Sequence, residues 1–262
     1  MILWNRQASV NLGGRLYQSD DIDIEFSVPF STENEPDVSE ISIYNLSPSS
    51  VSGIQKGMPV ALSAGYAGNV GMLCSGRISS FVTVMQGVDR KTTLKIATAA
   101  QAWKETKIQK TYAKGTSAQA ILSDLIANFG VSIADMTVVK NVTYAKGKTV
   151  SGRLKDIVKA LAKETESKFY LDKDRAYVRP FERGTATGFL LSGSTGLIGS
   201  PEPMEIAESD NKSVQGWKVR CLLNHNIGVD SLIQIQSTVV SGTYRVVKGR
   251  HTSEWITDME VV

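Results

Sequence analysis

Cysteine and histidine are scarce: 262 residues hold two of each, Cys74, Cys221, His225 and His251. Two cysteines make no disulfide framework. A chain of this length needs none, because its fold buries roughly three quarters of the surface the unfolded chain exposes. A closed zinc site would consume all four residues, and their separations of 147, 4 and 26 match no local metal-binding pattern. No run approaches the ~18 apolar residues of a membrane-spanning helix, so membrane insertion is not expected. The opening segment, Met1 to Gln7, lacks the basic and apolar stretches of an export signal. The sequence therefore predicts a chain kept in a reducing cytoplasm unless another machine exports it. With 42% apolar and 21% charged residues, the composition is globular and excludes a disordered chain.

Charge is unevenly spread. Residues 1–60 hold 8 acids and 3 bases, residues 61–180 hold 9 acids and 19 bases, and residues 181–262 hold 9 acids and 7 bases. A basic middle fits nucleic acid, an acidic partner surface or a solvated face. Lysines dominate over arginines there, so the solvated or protein-facing reading is preferred and sequence-specific nucleic-acid binding is not expected.

Hydrophobic spacing divides the chain in three. Over residues 1–100 the period is two: Ile22, Ile24, Phe26 and Val28 alternate with Asp21, Asp23, Glu25 and Ser27. Further strands are expected over Val38 to Leu46, Met58 to Tyr66, Met72 to Ile78, Phe81 to Met85 and Lys91 to Thr98, with turns at 65–71 and 86–89. A short helix is expected from Ser47 to Gln55, capped by Ser47 with Pro48 in its first turn. Over residues 101–180 the period becomes 3.6. Ala118, Ile121, Leu122, Leu125, Ile126 and Phe129 make one stripe, capped by Thr116 or Ser117 and stopped at Gly130. Leu154, Ile157, Val158 and Leu161 make another, with Ser151 as the expected cap. These stretches repeat at an offset of 32: Thr-Tyr-Ala-Lys-Gly stands at 111–115 and again at 143–147. Two copies are too few for a solenoid, so two pseudo-equivalent helices of one small α+β module are expected, closed by a hairpin over 168–179. Residues 184–199, rich in Gly, Ser and Thr, read as a linker or long loop. Residues 181–262 then return to strands.

Several motifs tempt and fail. Gly147-Lys148-Thr149 ends like a phosphate loop, but Val142 stands where the first glycine is required. Asp172 and Asp174 start like a calcium loop, but the sixth and twelfth positions are Tyr177 and Arg183. Gly193, Gly196 and Gly199 have no strand-to-helix context for a dinucleotide. No Gly-x-Ser-x-Gly elbow occurs, and neither His225 nor His251 has a placed nucleophile, so each reads as a polar turn or rim residue. The insert's acids, Asp124, Asp156, Glu164 and Glu166, sit among lysines and read as i,i+4-type surface pairs. No catalytic residue, metal ligand or cofactor is assigned.

Three ordered stretches carry a resemblance. The first comprises Ile41 to Ser47, Ile54 to Tyr66 and Gly71 to Ile78. The second is the helical repeat followed by Lys168 to Leu171 and Tyr177 to Pro180. The third comprises Leu222 to Asn224, Gly242 to Val247, His251 and Trp255 to Thr257. In that order they resemble the bacteriophage baseplate (tail) hub protein family, with its tail-tube-like barrels. Two departures stand out: the family's Gly-Asp is split here as Gly228-Val229-Asp230, and the loop from His251 to Trp255 is short, as in a trimmed hub.

The resemblance implies a β-rich fold with an α+β insert. Two tail-tube-like β-barrel domains, 1–100 and 181–262, would flank a small module at 101–180 with its two related helices. It implies a structural protein of the virion, assembled in the host cytoplasm: a homotrimeric ring that adapts a sixfold tail tube to a threefold spike. Its partners would be the tail tube protein, the central spike protein and the tape measure protein. A tube initiator or distal tail protein, or a hub carrying peptidoglycan hydrolase activity, are the alternatives. In a ring that conducts DNA, Asp21, Asp23 and Glu25 would suit the lumen, where negative charge repels phosphate. An ordinary solvated strand face is the competing placement.

Overall fold

The computed structural model describes residues 5–31, 38–97, 106–128, 130–172, 175–209 and 212–262. They make two compact units, one from 5–31, 38–97 and 184–262, the other from the described part of 106–183. No helix among the described residues is long and apolar enough to cross a membrane.

The first unit begins with β1 (Arg6–Leu12), β2 (Arg15–Gln18), β3 (Ile24–Ser31), β4 (Ser39–Tyr44), helix α1 (Pro48–Ser52), β5 (Pro59–Tyr66), β6 (Asn69–Gln86) and β7 (Asp89–Ala97). Period-two spacing builds it: Val10 on β1, Phe26 on β3, Ile41 and Ile43 on β4, Leu62 on β5 and Leu94 on β7 all enter one core. The short helix forms as expected, with the Ser47 side chain accepting from the Ser50 N–H and Pro48 at its start. Two expectations need correction. The acidic strand starts at Ile24 rather than Asp21, because the Asp21 and Ile22 N–H groups bond the Gln18 carbonyl and close a turn after β2. The runs at 72–78 and 81–85 are one strand, β6, which absorbs a register shift between Ile78 and Ser80. The first hairpin, β1–β2, was not singled out by spacing.

The second unit holds β8 (Lys107–Tyr112), β9 (Thr116–Ser117), α2 (Ala118–Ala127), β10 (Ser132–Met136), β11 (Thr143–Tyr144), β12 (Lys148–Arg153), α3 (Leu154–Glu164), β13 (Ser167–Asp172) and β14 (Arg175–Pro180). The first unit then resumes with β15 (Thr185–Leu191), β16 (Leu197–Ser209), β17 (Lys212–Leu222), β18 (Ser231–Gln236), β19 (Ser241–Thr252) and β20 (Ile256–Val261). The Gly-rich stretch 184–199 is thus not a linker: β15 pairs in parallel with β18, with Gly188 at φ +66° inside a register shift.

The thirteen strands of the first unit form one sheet, ordered β16-β17-β20-β19-β3-β4-β7-β6-β5-β1-β2, with β18 on β19 and β15 beside β18. Residues 1–100 and 181–262, read as separate barrels, therefore share one sheet. Its seam is the antiparallel pairing of Ser27–Ser31 with Lys248–Thr252. No pairing among the described residues joins β16 to β2 and closes the sheet into a barrel.

In the second unit the 32-residue repeat becomes two interlocked halves. Strand β8 pairs with β12 (Tyr112 opposite Lys148, Thr111 opposite Thr149), and β9 pairs with β11 (Thr116 opposite Tyr144, Ser117 opposite Thr143). An offset of 32 applied in opposite directions to the two partners converts one ladder into the other, so the halves are related by a local pseudo-twofold. Each half's helix buries its apolar stripe in the shared core: Ile121, Leu122 and Leu125 from α2, Leu154, Val158 and Leu161 from α3. Phe129 lies outside the described residues. Ser117 caps α2 through the Ala120 N–H. Helix α3 has Arg153 at its cap and no side-chain cap bond, because Ser151 is held within β12. A three-stranded sheet, β10-β14-β13, completes the unit.

The two repeated turns give a paired test. Gly115 and Gly147 both sit at φ +80°, where a side chain costs about 1–2 kcal/mol. A Cβ on Gly115 meets nothing within 4 Å, whereas one on Gly147 falls 2.6 Å from the Tyr112 carbonyl oxygen. Urea unfolding should show Gly115→Ala losing about 1 kcal/mol and Gly147→Ala about 3 kcal/mol or more, since a backbone clash adds to the conformational cost. Equal losses would mean that the Tyr112 carbonyl does not crowd Gly147 and that the two turns are equivalent in packing as well as in conformation.

Candidate functional site

The acidic segment keeps the expected sidedness. Ile22 and Ile24 pack against the core and Phe26 is buried within it, while Asp21, Asp23 and Glu25 are exposed. Spacing alone missed a cation. Lys91, on β7, donates to the Glu25 carboxylate at 2.6 Å and lies 5.2 Å from the Tyr44 ring centre. That hydrogen bond holds the Glu25 carboxyl below its ordinary value. No local signal could reveal a partner 66 residues away. Asp21 and Asp23 are left as the acids that set the charge of this face.

Both histidines pack within the strand-rich unit. His251 is a core residue, only 2% exposed, and not the rim residue expected. Its Nδ1 is 2.9 Å from the Thr257 hydroxyl, and its ring lies 4.8 Å from that of Phe30. The half-buried His225 ring lies over Gly71, so close that a Cβ there would fall 2.1 Å from Cδ2. Both cysteines are buried and unbridged. Burial pushes the Cys221 thiol up to about 12, far from the thiolate a nucleophile needs. Among the described residues, no three His, Cys, Asp or Glu side chains gather as metal ligands would.

The insert's acids form a matched pair of clusters across the pseudo-twofold. Asp124 accepts from Tyr112 at 2.6 Å and from Lys110 at 2.7 Å. Glu164 accepts from Tyr144 at 2.8 Å and from Lys148. Tyr112 and Tyr144 are equivalent residues of the repeat. These partners come from strands, which corrects the expectation of i,i+4 pairs along the helices. Hydrogen bonds from Lys110 and then Tyr112 hold Asp124 below its ordinary value. Burial raises Glu164, and the bonds from Lys148 and Tyr144 outweigh it, so that carboxyl is lowered too. A glycosidase acid must be raised, not lowered. Both shifts favour the folded chain above the ordinary carboxylate range and lose that effect as pH falls through it. Gly147, Lys148 and Thr149 lead into strand β12 and not into the helix a phosphate loop requires.

The feature that remains is extended surface. β6 and β7 run out together as a hairpin turned at Gly87-Val88. Its outer half exposes Phe81, Val82, Val84, Met85 and Val88, the last 92% exposed. The unit thus exposes an acidic face and an apolar hairpin.

No protein-family model and no curated protein matches the sequence. Solved structures do. The 43 kDa tail protein of prophage MuSo2 from Shewanella oneidensis superposes with a TM-score of 0.70 at 9% identity, over 98% of both chains. This chain has the fold of a prophage tail protein. The tail protein from Neisseria meningitidis MC58 follows at a TM-score of 0.67 and 9% identity, over 98% of this chain and 96% of that one. The E. coli c3393 protein, a type VI secretion component with structural similarity to T4 tail proteins, reaches 0.63 at 9% identity, over 92% of this chain and 73% of its own. The tail fold therefore spans both units in one continuous order, as the three ordered stretches of the sequence suggested.

Proposed function

We propose that the chain is a structural baseplate hub: a homotrimeric ring that joins a sixfold tail tube to a threefold central spike. The whole-length likeness to a prophage tail protein carries this reading, since it includes the insert as well as the strands on either side. The strand-rich stretches 1–100 and 181–262 would act as two tube-like halves, so three chains present six. The tail tube protein would bind one side of the ring and the spike the other, with the tape measure protein threading it before DNA ejection. The ring would assemble in the host cytoplasm and reside in the virion baseplate. No enzymatic step is needed, and Asp124 and Glu164 are each engaged by a lysine and a tyrosine of neighbouring strands. We place Asp21, Asp23 and Glu25 on the lumen.

The purified particle tests this. Its mass in solution should be three times the 28.4 kDa chain, and class averages should show a threefold ring. A sixfold ring would favour the tube-initiator or distal-tail reading, and a chain monomeric at all concentrations would defeat both.

A further inference from the structure

The hairpin of β6 and β7 has an edge that the rest of the sheet does not resemble. β6 pairs with β5 only from Asn69 to Arg77, and two further bonds link Ile78 with Gly57 and Met58. From Ser79 to Gln86 its outer edge has no strand beside it among the described residues, while its inner edge stays paired with β7. An unpaired edge is a template for another strand, and proteins normally blunt it with short length, proline or charge. Two of the sheet's terminal strands follow that rule, and the third, β15, is interrupted by a register shift at Gly188. β2 is four residues long and starts with Arg15, and β16 carries Pro201, Glu202, Pro203 and Glu205. The β6 edge does not: no residue from Ile78 to Val88 is charged or proline. Apolar side chains stand on both faces, among the uncharged polar Ser79, Ser80, Thr83 and Gln86. Phe81 and Met85 continue the core face past Leu94, and Val82 and Val84 stand on the other face, opposite Thr93 and Lys91.

An edge eight residues long, uncharged and collinear with β5 calls for backbone hydrogen bonds and apolar side chains together. A strand supplies both, whereas a lipid surface or a small apolar ligand supplies only the second. Its lack of charge lets a copy of the same chain approach without like-charge repulsion. We infer that the outer edge of β6, Ser79 to Gln86, is where a second copy of this chain docks, by adding backbone to the sheet beside Phe81, Val82 and Val84. The inference rests on the trimer reading, with the neighbour in the ring as the occupant.

Val82→Glu with Val84→Glu places charge on the edge without touching the core, and Val239→Glu, at an exposed loop position elsewhere, is the control. By sedimentation at one protein concentration, the wild type and the control should run as three chains and the double variant as one. Amide exchange on the wild-type chain needs no variant. The amides of 79–86 should gain protection as concentration rises through assembly, while those of the 237–240 loop should not. A wild-type trimer that survives both glutamates, or exchange at 79–86 that ignores concentration, overturns the edge and leaves the trimer standing. A dimer lost on adding the glutamates keeps the edge and overturns the trimer. A chain that never associates overturns both.

Discussion

Gly249→Val should cost the strand-rich unit about 3 kcal/mol or more and lower its melting temperature by roughly 6–12 °C. Gly249 lies on β19, between β20 and β3, at the seam where the two ends of the chain join one sheet. A Cβ at this position falls 2.5 Å from the Asp258 carbonyl oxygen and 2.5 Å from Cζ of Phe30. Neither neighbour can give way cheaply. Asp258 is held by the β19–β20 ladder. Phe30 is buried, and its ring packs on His251, itself fixed through Thr257. Phe30→Leu in the Gly249→Ala background separates the two causes. Leucine clears the ring contact but not the carbonyl, so only part of the loss should return. Full rescue would place the strain in the ring contact alone; no loss from Gly249→Val would mean the seam is looser than the pairing of Phe30 with Gly249 requires.

That seam is the part of the fold that spacing could not show. Period two marked Ile22 to Val28 and Tyr244 to Val247 as strands, because each residue's side is set by its immediate neighbours. Nothing local says that Phe30 meets Gly249, more than two hundred residues away, so the two stretches read as separate domains. The same limit hid the partner of Glu25, since Lys91 reaches it only after β3, β4 and β7 lie side by side. The insert was more legible because its information is repeated. Thr-Tyr-Ala-Lys-Gly at both 111–115 and 143–147 marked two equivalent turns, and both glycines take the same left-handed conformation. The exchange of strands between the halves was not legible, since a repeat fixes what each half looks like and not whom it pairs with. The Gly-rich stretch 184–199 misled for a related reason. Gly188 marks a register shift in a strand that needs β18 beside it, and β18 lies forty-odd residues downstream.

If the lumen placement holds, Asp21→Lys with Asp23→Lys should slow DNA ejection from assembled particles, most strongly at low salt. Both residues are exposed, and no shift in the core is needed to accommodate lysine at either. Glu25 is left intact because Lys91 already pairs with it, and changing it would free a cation and confuse the result. Two reversals per chain in a trimer move the charge of the ring by on the order of twelve, from a wall that repels phosphate to one that binds it. Attraction of that kind depends on released counterions, so it weakens steeply as salt rises. The variant should thus eject slowly at low ionic strength and approach the wild type at high ionic strength, while the wild type changes little. Glu202→Lys, an exposed acid on the edge strand β16, controls for charge alone and should leave ejection unchanged at every salt concentration. Normal assembly with ejection unaltered by the double change would return Asp21 and Asp23 to the outer, solvated face. A loss of assembly before any DNA enters would instead place them at a contact between copies.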